Sequence, residues 1–475
     1  MKKILVTMIA ALMVVVSASA AKAPKYVFLF IGDGMGTNTV NFTELYLQSL
    51  DGKYGYKHLG MTQLPVAGIA TTYSANSDVT DSAASATAIA SGVKTKNGSI
   101  GVDPEKKPVE SIAEKAKRNG KKVAILTNVG VNHATPAGFY AHQRNRGMYD
   151  EILQDLVKAD FDFYAGSDYC GYKQTATDNI FPIDSDVERD NFVKKAGFAV
   201  VRSQKEYDAA FAGADKMVML TNNTSRLSYD YSSDESKARH MILKNVTKDA
   251  INFLMKDGCK KGFFMMVEGG QIDGCNHGND AAKAVHEVID FDEAIAVAYE
   301  FYLQHPKETA IVITADHDTG SPCVLSRNYE DYACFQYQDA SQSDITSELK
   351  HMMKAQEEVV SWEQVKGLLD KHLKLWSKMN ISKEKEAVIR AEYDATIAKR
   401  ETGHVVDPYA YADDAQIAKV AVEIYDGMCG VKYVTTDHSA AYVPVYAVGP
   451  GTQIFSSLND NTDMCKKLVK IANYK

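Results

Sequence analysis

Five runs of apolar, β-branched and aromatic residues each break off abruptly at glycine, acid or histidine: YVFLFIGDGMG (26–36), KKVAILTNVGVNHATPAG (121–138), GFFMMVEGGQIDG (262–274), ETAIVITADHDTG (308–320) and YVPVYAVGPG (442–451). None alternates in polarity, so each predicts a strand covered on both faces, the habit of a parallel sheet. Between them lie helical patterns such as Asp280 to Gln304, where Val285, Val288, Ile289 and Ile295 share one apolar face. Strands alternating with helices predict an α/β fold, a three-layer sandwich around a largely parallel central sheet. In such sheets ligands bind beyond the carboxyl ends of the strands, and that is where these runs place their polar residues.

Residues Thr346 to Met428 depart from that rhythm. They are rich in lysine, glutamate, alanine and methionine, carry both tryptophans, and include SWEQVKGLLDKHLKLW, whose Ser361 and Gln364 have the spacing of a capping box. A mostly helical, cap- or crown-like insertion is expected over 346–428, its charge runs forming a solvated face, with the α/β domain built from 21–345 and 429–475. The opening residues MKKILVTMIAALMVVVSASA join Lys2 and Lys3 to an apolar run and then Ala18, Ser19 and Ala20, which reads as a secretory signal peptide over 1–20. Export, to a periplasm or the medium, is expected. The apolar run is short for a membrane anchor, and no later stretch reaches about 20 apolar residues. A net charge of −8 without a long basic run argues against nucleic-acid binding. In an exported chain seven cysteines permit disulfides, their odd number leaving at least one unpaired; nearness in sequence suggests Cys323 with Cys334 and Cys429 with Cys465.

TDSAASATAIASG, Thr80 to Gly92, has almost no side-chain bulk. It predicts a close-packed helix with Thr80 or Asp81 as its N-cap. Ser82 then falls in the first turn, where free N–H groups and the positive end of the dipole favour an anion, so its hydroxyl can accept a phosphoryl group once a partner activates it. Asp33, Glu268, Asp273, His277, Asp316, His317 and His438 all sit at the ends of strand-like runs or in the loops beyond them, whereas His286, inside a helix, reads as a surface or capping residue. Imidazole and carboxylate are zinc donors. Asp273 and His277 can reach one metal if a helical turn begins there, with His438 as third ligand; Asp316 and His317 can hold a second, and Asp33 can bridge toward a third, oxygen-only site. Two metals about 3.5 to 4 Å apart clamp the attacking and leaving oxygens of an in-line displacement.

In the same order along the chain, IGDGMG, TDSAASATAIASGVKTKNG, HATPAG, VEGGQIDGCNH, TADHDTG and DHSAAYVPVYAVGPG closely resemble segments of alkaline phosphatases. The likeness covers Lys25 to Pro322 and Val431 to the end, leaving out the insertion. It implies hydrolysis of phosphate monoesters at alkaline pH, through a phosphoserine on Ser82, with two Zn2+ and one Mg2+. By that resemblance Asp316, His317 and Asp33 hold the zinc that meets Ser82 and lowers its pKa, and Asp273, His277 and His438 hold the other. Magnesium lies with Asp33, Thr135 and Glu268, and His133 stands beside it. Arg146 grips two phosphate oxygens and Asp81 orients it, with Arg144 as the neighbouring alternative. Many relatives are dimers, so a homodimer is an expectation. His133 occupies a position that is aspartate in some members and histidine in others, which leaves the metal there open. Gly274 stands where many carry a lysine or histidine that contacts phosphate; either that charge is absent here or the glycine is kept for a positive φ. Cys275 reads as a free bystander thiol. A sulfatase would need a Cys/Ser-x-Pro-x-Arg context, which DSAASA lacks. Diesterases of the superfamily generally lack the arginine matched by Arg146, and a non-catalytic binding protein on this fold would usually have lost a nucleophile or a ligand.

Overall fold

The computed structural model describes residues 23–171, 186–221, 226–230, 242–325, 332–354, 359–401 and 416–475. The leader read at 1–20 and parts of the insertion, 355–358 and 402–415, lie outside them. The strands are β1 Tyr26–Gly32, β2 Val66–Thr71, β3 Lys122–Thr127, β4 Phe163–Gly166, β5 Ala199–Val201, β6 Met217–Leu220, β7 Phe263–Gly269, β8 Thr309–Ala315, β9 Asp318–Thr319, β10 Cys323–Val324, β11 Val431–Lys432, β12 His438–Ser439, β13 Val443–Val448 and β14 Ser457–Asp460. Ten of them form one sheet in the order β14-β2-β13-β8-β1-β7-β3-β4-β6-β5. Within it only β13 runs against its neighbours, β2 and β8. Each of the five runs read from the sequence contains one of its strands.

All seven residues of β1 are buried, which suits its place near the middle of the sheet. Phe28 meets Phe263 and Phe301, and Phe30 meets Phe291, in edge-on contacts. Each such ring contributes about 1.5–3 kcal/mol by leaving water. The register places Ile31 of β1 beside Glu268 of β7 and Thr314 of β8, and Glu268 beside Thr127 of β3. The carboxyl ends of four adjacent central strands are therefore level, and the loops that leave them share one edge of the sheet. The Ala281–Gln304 helix and the Leu243–Met255 helix pack together on one face, while the Ser82–Ser91 and Asn461–Ala472 helices pack together elsewhere against the sheet. This is the expected α/β sandwich.

The helices Gln342–Lys354, Trp362–Leu373, Lys383–Glu401 and Ile417–Met428 surround a second apolar core with Leu349, Val365, Leu369 and Val422 inside it. Ser361 and Gln364 form the capping box read from the sequence. Asp280, the N-cap of the long helix, accepts from Gln338 Nε2 at 2.9 Å and Gln342 N at 2.7 Å, and Asp426 accepts from Ala281 N at 3.0 Å. Both ends of this helical layer thus hold the chain just after His277.

Two expectations need correction. All seven cysteines are free, and neither suggested pair forms. Cys465 belongs to the sheet core and Cys429 to the second core, where the Cys334 thiol is its hydrogen-bonding neighbour, so nearness in sequence misjudged nearness in space. His286 is buried rather than superficial, and its Nδ1 meets Asp230 at 2.9 Å. Among the described residues no helix is long and apolar enough to cross a membrane.

Candidate active site

Ser82 opens the Ser82–Ser91 helix, and nine of its ten residues, Ser82 to Ala90, are buried. Alanine suits that position because an added Cβ at Gly138 would stand 2.9 Å from the Cβ of Ala86, which leaves no room between the helix and the Ala134–Ala137 turn. Asp81 is the N-cap: one oxygen accepts from Ala84 N at 3.0 Å, the other from Gly98 N at 3.0 Å and from Arg146 Nη1 at 3.1 Å. The same carboxylate thus fixes the start of the helix and the guanidinium. Arg144 is exposed, while Arg146 also lies 3.2 Å from His133 Nε2. Ser85 Oγ donates to Asp316 O at 2.7 Å and ties the helix to the loop after β8.

Three imidazoles converge beside Ser82. His438 Nδ1 bonds Thr80 O at 2.9 Å, His277 Nδ1 bonds Thr436 O at 2.5 Å, and His317 Nδ1 meets Thr319 Oγ1 at 3.2 Å. A carbonyl oxygen only accepts, so in His438 and His277 the hydrogen sits on Nδ1 and a neutral ring leaves Nε2 bare. Those Nε2 atoms are 3.1 Å apart, and each faces Asp273, at 3.3 Å from His277 and 3.6 Å from His438. His317 Nε2 lies 3.3 Å from Ser82 Oγ, 3.2 Å from Asp316 and 3.4 Å from Asp33. Three groups have ligand atoms within 4.8 Å of one another: Asp273, His317 and His438; Asp33, Asp316 and His317; Asp33, His133 and Glu268. His317 and Asp33 are each shared by two of them, so the three groups form one continuous cluster. Thr135 Oγ1 adds a hydroxyl 3.2 Å from Asp33.

Among the described residues no well-formed hydrogen bond reaches the buried Asp33 Oδ1, Asp316 Oδ2, His133 Nδ1 or either carboxylate oxygen of Glu268. An ionised carboxylate left so is costly, which a bound cation relieves. The charge states agree. Burial, with the charge of Asp316 adding, pushes Glu268 up to about 7, and burial beside Asp316 raises Asp33 well above the usual carboxylate range. Burial also pushes Asp273 up, but His277 and His317 prevail and hold it well below that range. The bond to Asp273 lifts His277 to about 9, whereas burial, with Arg146 adding, lowers His133 to about 4. Burial opposes protonation of His317, yet the Asp316 carboxylate raises it. These donors fit divalent cations, imidazole with carboxylate at one end of the cluster and mainly oxygen at the other.

Of the ligands expected from the sequence, His277 and Thr135 stand outside the three groups, His277 Nε2 being 3.3 Å from Asp273 and Thr135 Oγ1 3.2 Å from Asp33, while His317 takes the place expected for His277 beside Asp273 and His438. The sequence reading missed Thr319, Ser85 and the carbonyls of Thr80 and Thr436. Thr319 alone had a visible signal, a hydroxyl two residues beyond His317 in TADHDTG.

A buried serine at a helix N-terminus, beside clustered carboxylates and imidazoles on the carboxyl edge of an α/β sheet, defines a metal-binding hydrolase. A sequence model of the family described as alkaline phosphatase matches residues 24–175 and 187–474. Alkaline phosphatase 4 of Bacillus subtilis is 30% identical over 469 residues, spanning 96% of this chain and 91% of its own length. Among solved structures, the cold-active alkaline phosphatase of a psychrophilic Shewanella shares 25% identity with a TM-score of 0.73, over 94% of this chain and 99% of that one. The alkaline phosphatase of the Antarctic bacterium TAB5 shares 26% with a TM-score of 0.63, over 96% and 99%. The chain belongs to the alkaline phosphatase family.

Proposed function

We propose that this protein hydrolyses phosphate monoesters in two displacements, through a phosphoserine on Ser82, with two Zn2+ and one Mg2+. The observation that carries this reading is the position of Ser82 Oγ, 3.3 Å from the His317 nitrogen that belongs to two of the ligand groups. Zinc suits Asp316, His317 and Asp33 on one side and Asp273, His277 and His438 on the other. Magnesium suits Asp33, Thr135 and Glu268, while the nitrogen of His133 leaves the third metal open. Cations held there would lower the pKa of the serine hydroxyl and of water and would neutralise charge on the oxygens around phosphorus.

Ser82 Oγ forms a bond to phosphorus as the bond to the alcohol oxygen breaks, and the alcohol leaves with a proton. Water then displaces Ser82 and releases inorganic phosphate. Arg146, held by Asp81, grips two unshared phosphate oxygens, and the free N–H groups of the Ser82 helix face the same anion. The leader at 1–20 supports export. The test is hydrolysis of an aryl phosphate monoester beside the matching diester, with and without chelator, by the native chain and by Ser82→Ala. The native chain is expected to favour the monoester and lose activity with chelator; Ser82→Ala should keep its metals and lose phosphoenzyme and turnover. Phosphorylated Ser82→Ala protein trapped in acid would place the nucleophile elsewhere.

A further inference from the structure

We infer that Thr319 is a positioning residue joining the two zinc clusters, its single hydroxyl taking the Nδ1 hydrogen of His317 and giving its own proton to Asp273. This rests on the metal reading above. Thr319 is fully buried and ends β9, where it pairs with His438 of β12. Its Oγ1 lies 2.6 Å from Asp273 Oδ1 and 3.2 Å from His317 Nδ1.

Proton counting fixes the direction of both bonds. The Asp273 carboxylate can only accept, so the one hydroxyl proton goes to it. The oxygen then has lone pairs alone to offer His317, and Nδ1 must carry the hydrogen. A neutral His317 therefore presents a bare Nε2 to Asp33, Asp316 and Ser82. Ligating histidines commonly donate their second nitrogen to a carboxylate or carbonyl. Here the acceptor is a hydroxyl whose own proton is committed to a ligand of the other cluster, so one side-chain rotamer sets ligand orientation in both.

A buried threonine with only itself to satisfy would bond a nearby backbone carbonyl, as Thr43 and Thr87 do. Thr319 bonds two ligand side chains instead. The chain is also shaped around this bond. Thr319 N donates to Gly34 O at 3.2 Å, and Gly34 has φ +65°. A Cβ there would stand 2.7 Å from Thr319 Oγ1 and 2.8 Å from Asp273 Oδ1, so the loop carrying Asp33 closes directly over the pair.

The test compares the native chain with Thr319→Val, which keeps the shape and removes the hydroxyl, and Thr319→Ser, which restores it. Each is loaded with zinc and desalted, its metal is counted by mass spectrometry, and zinc release to a chromogenic chelator is timed. Thr319→Val should release zinc from both clusters about 10- to 100-fold faster. Thr319→Ser, which keeps the hydroxyl, should release zinc less than about tenfold faster than native, below the range for losing the bond. Native release rates in Thr319→Val, or a serine variant as leaky as the valine one, overturn the inference. A native chain that takes up no zinc overturns the metal reading instead. Should Thr319→Val not fold by circular dichroism, Thr319→Ala against Thr319→Ser carries the same comparison.

Discussion

Gly274 lies inside the Gln271–His277 helix, its φ is not positive, and an added Cβ would meet no atom within 4 Å. The backbone does not demand glycine there, so of the two readings of this residue the missing charge survives. Two unit charges about 4 Å apart interact by roughly 4 kcal/mol at an effective dielectric of 20, and a water-bridged contact retains about 1–1.5 kcal/mol. Gly274→Lys is therefore expected to keep its zinc and to tighten inhibition by inorganic phosphate about tenfold, measured as a competitive inhibition constant. Unchanged inhibition with zinc intact removes the charge argument. Arg146 belongs to the same scale. Its planar fork needs two unshared oxygens, so Arg146→Ala should lose at least about tenfold more activity on a monoester than on the matching diester, while the exposed Arg144→Ala should behave as native. Equal losses on both substrates would take Arg146 out of the phosphate site. These residues were legible because acids, histidines and the serine stand in short motifs at strand ends. Thr319 left only a faint signal, a hydroxyl two residues beyond His317, since its chemistry arises only when Asp273 and His317 are brought to either side of it.

The Ser82 helix answers why the chain gives so long a stretch to alanine and serine. Ala86 faces Gly138 at the closest approach between helix and turn, so Ala86→Leu forces the helix outward. Overpacking of this kind costs about 1–3 kcal/mol, and the displacement moves Ser82 away from His317. Denaturant unfolding and turnover should both fall in Ala86→Leu; native stability would show that the close packing does not require small residues. Among the strands, those covered on both faces were readable because burial erases their alternation. β4, β5 and β6, at three or four residues, offer too little pattern, and β2 and β14 at one edge are partly exposed, so their runs are not apolar throughout. The reversal of β13 was equally hidden, because strand direction depends on where the preceding connection crosses the sheet. Helices in the insertion expected over 346–428 were visible in composition and in Ser361 with Gln364, the first of them beginning at Gln342, but their attachment through Asp280 and Asp426 was not. Each of those two carboxylates bonds a backbone or amide group that only the fold brings near.

At the scale of the whole molecule, the sheet buries Asp33, Glu268 and Asp316 together with Asp273 half-buried beside them, so without cations the buried carboxyls Asp33 and Glu268 hold on to protons. Glu268 is raised from 4.5 to about 7, and Asp33 is raised as well. A group whose folded pKa is raised contributes stability that is whole below its unfolded value and is lost as the pH climbs through the folded one. For Glu268 that window runs from 4.5 to about 7, and the loss is on the order of a few kcal/mol. His277, raised from 6.5 to about 9, extends the same sign upward. Cations reverse the consequence. They take the place of the protons, bind the folded chain in preference to the unfolded one and stabilise it by mass action. On the proposed metal reading they also bind better as pH rises, because below about 9 a proton must leave His277 before its nitrogen could ligate. The gap in melting temperature between zinc- and magnesium-loaded protein and the same protein stripped by chelator should therefore widen from pH 5 to pH 9, and zinc uptake in weak buffer at pH 7 should release protons. Differential scanning calorimetry across that range, with a pH-indicator titration, measures both. A gap that narrows as pH rises would mean that the buried carboxylates are relieved by something other than metal.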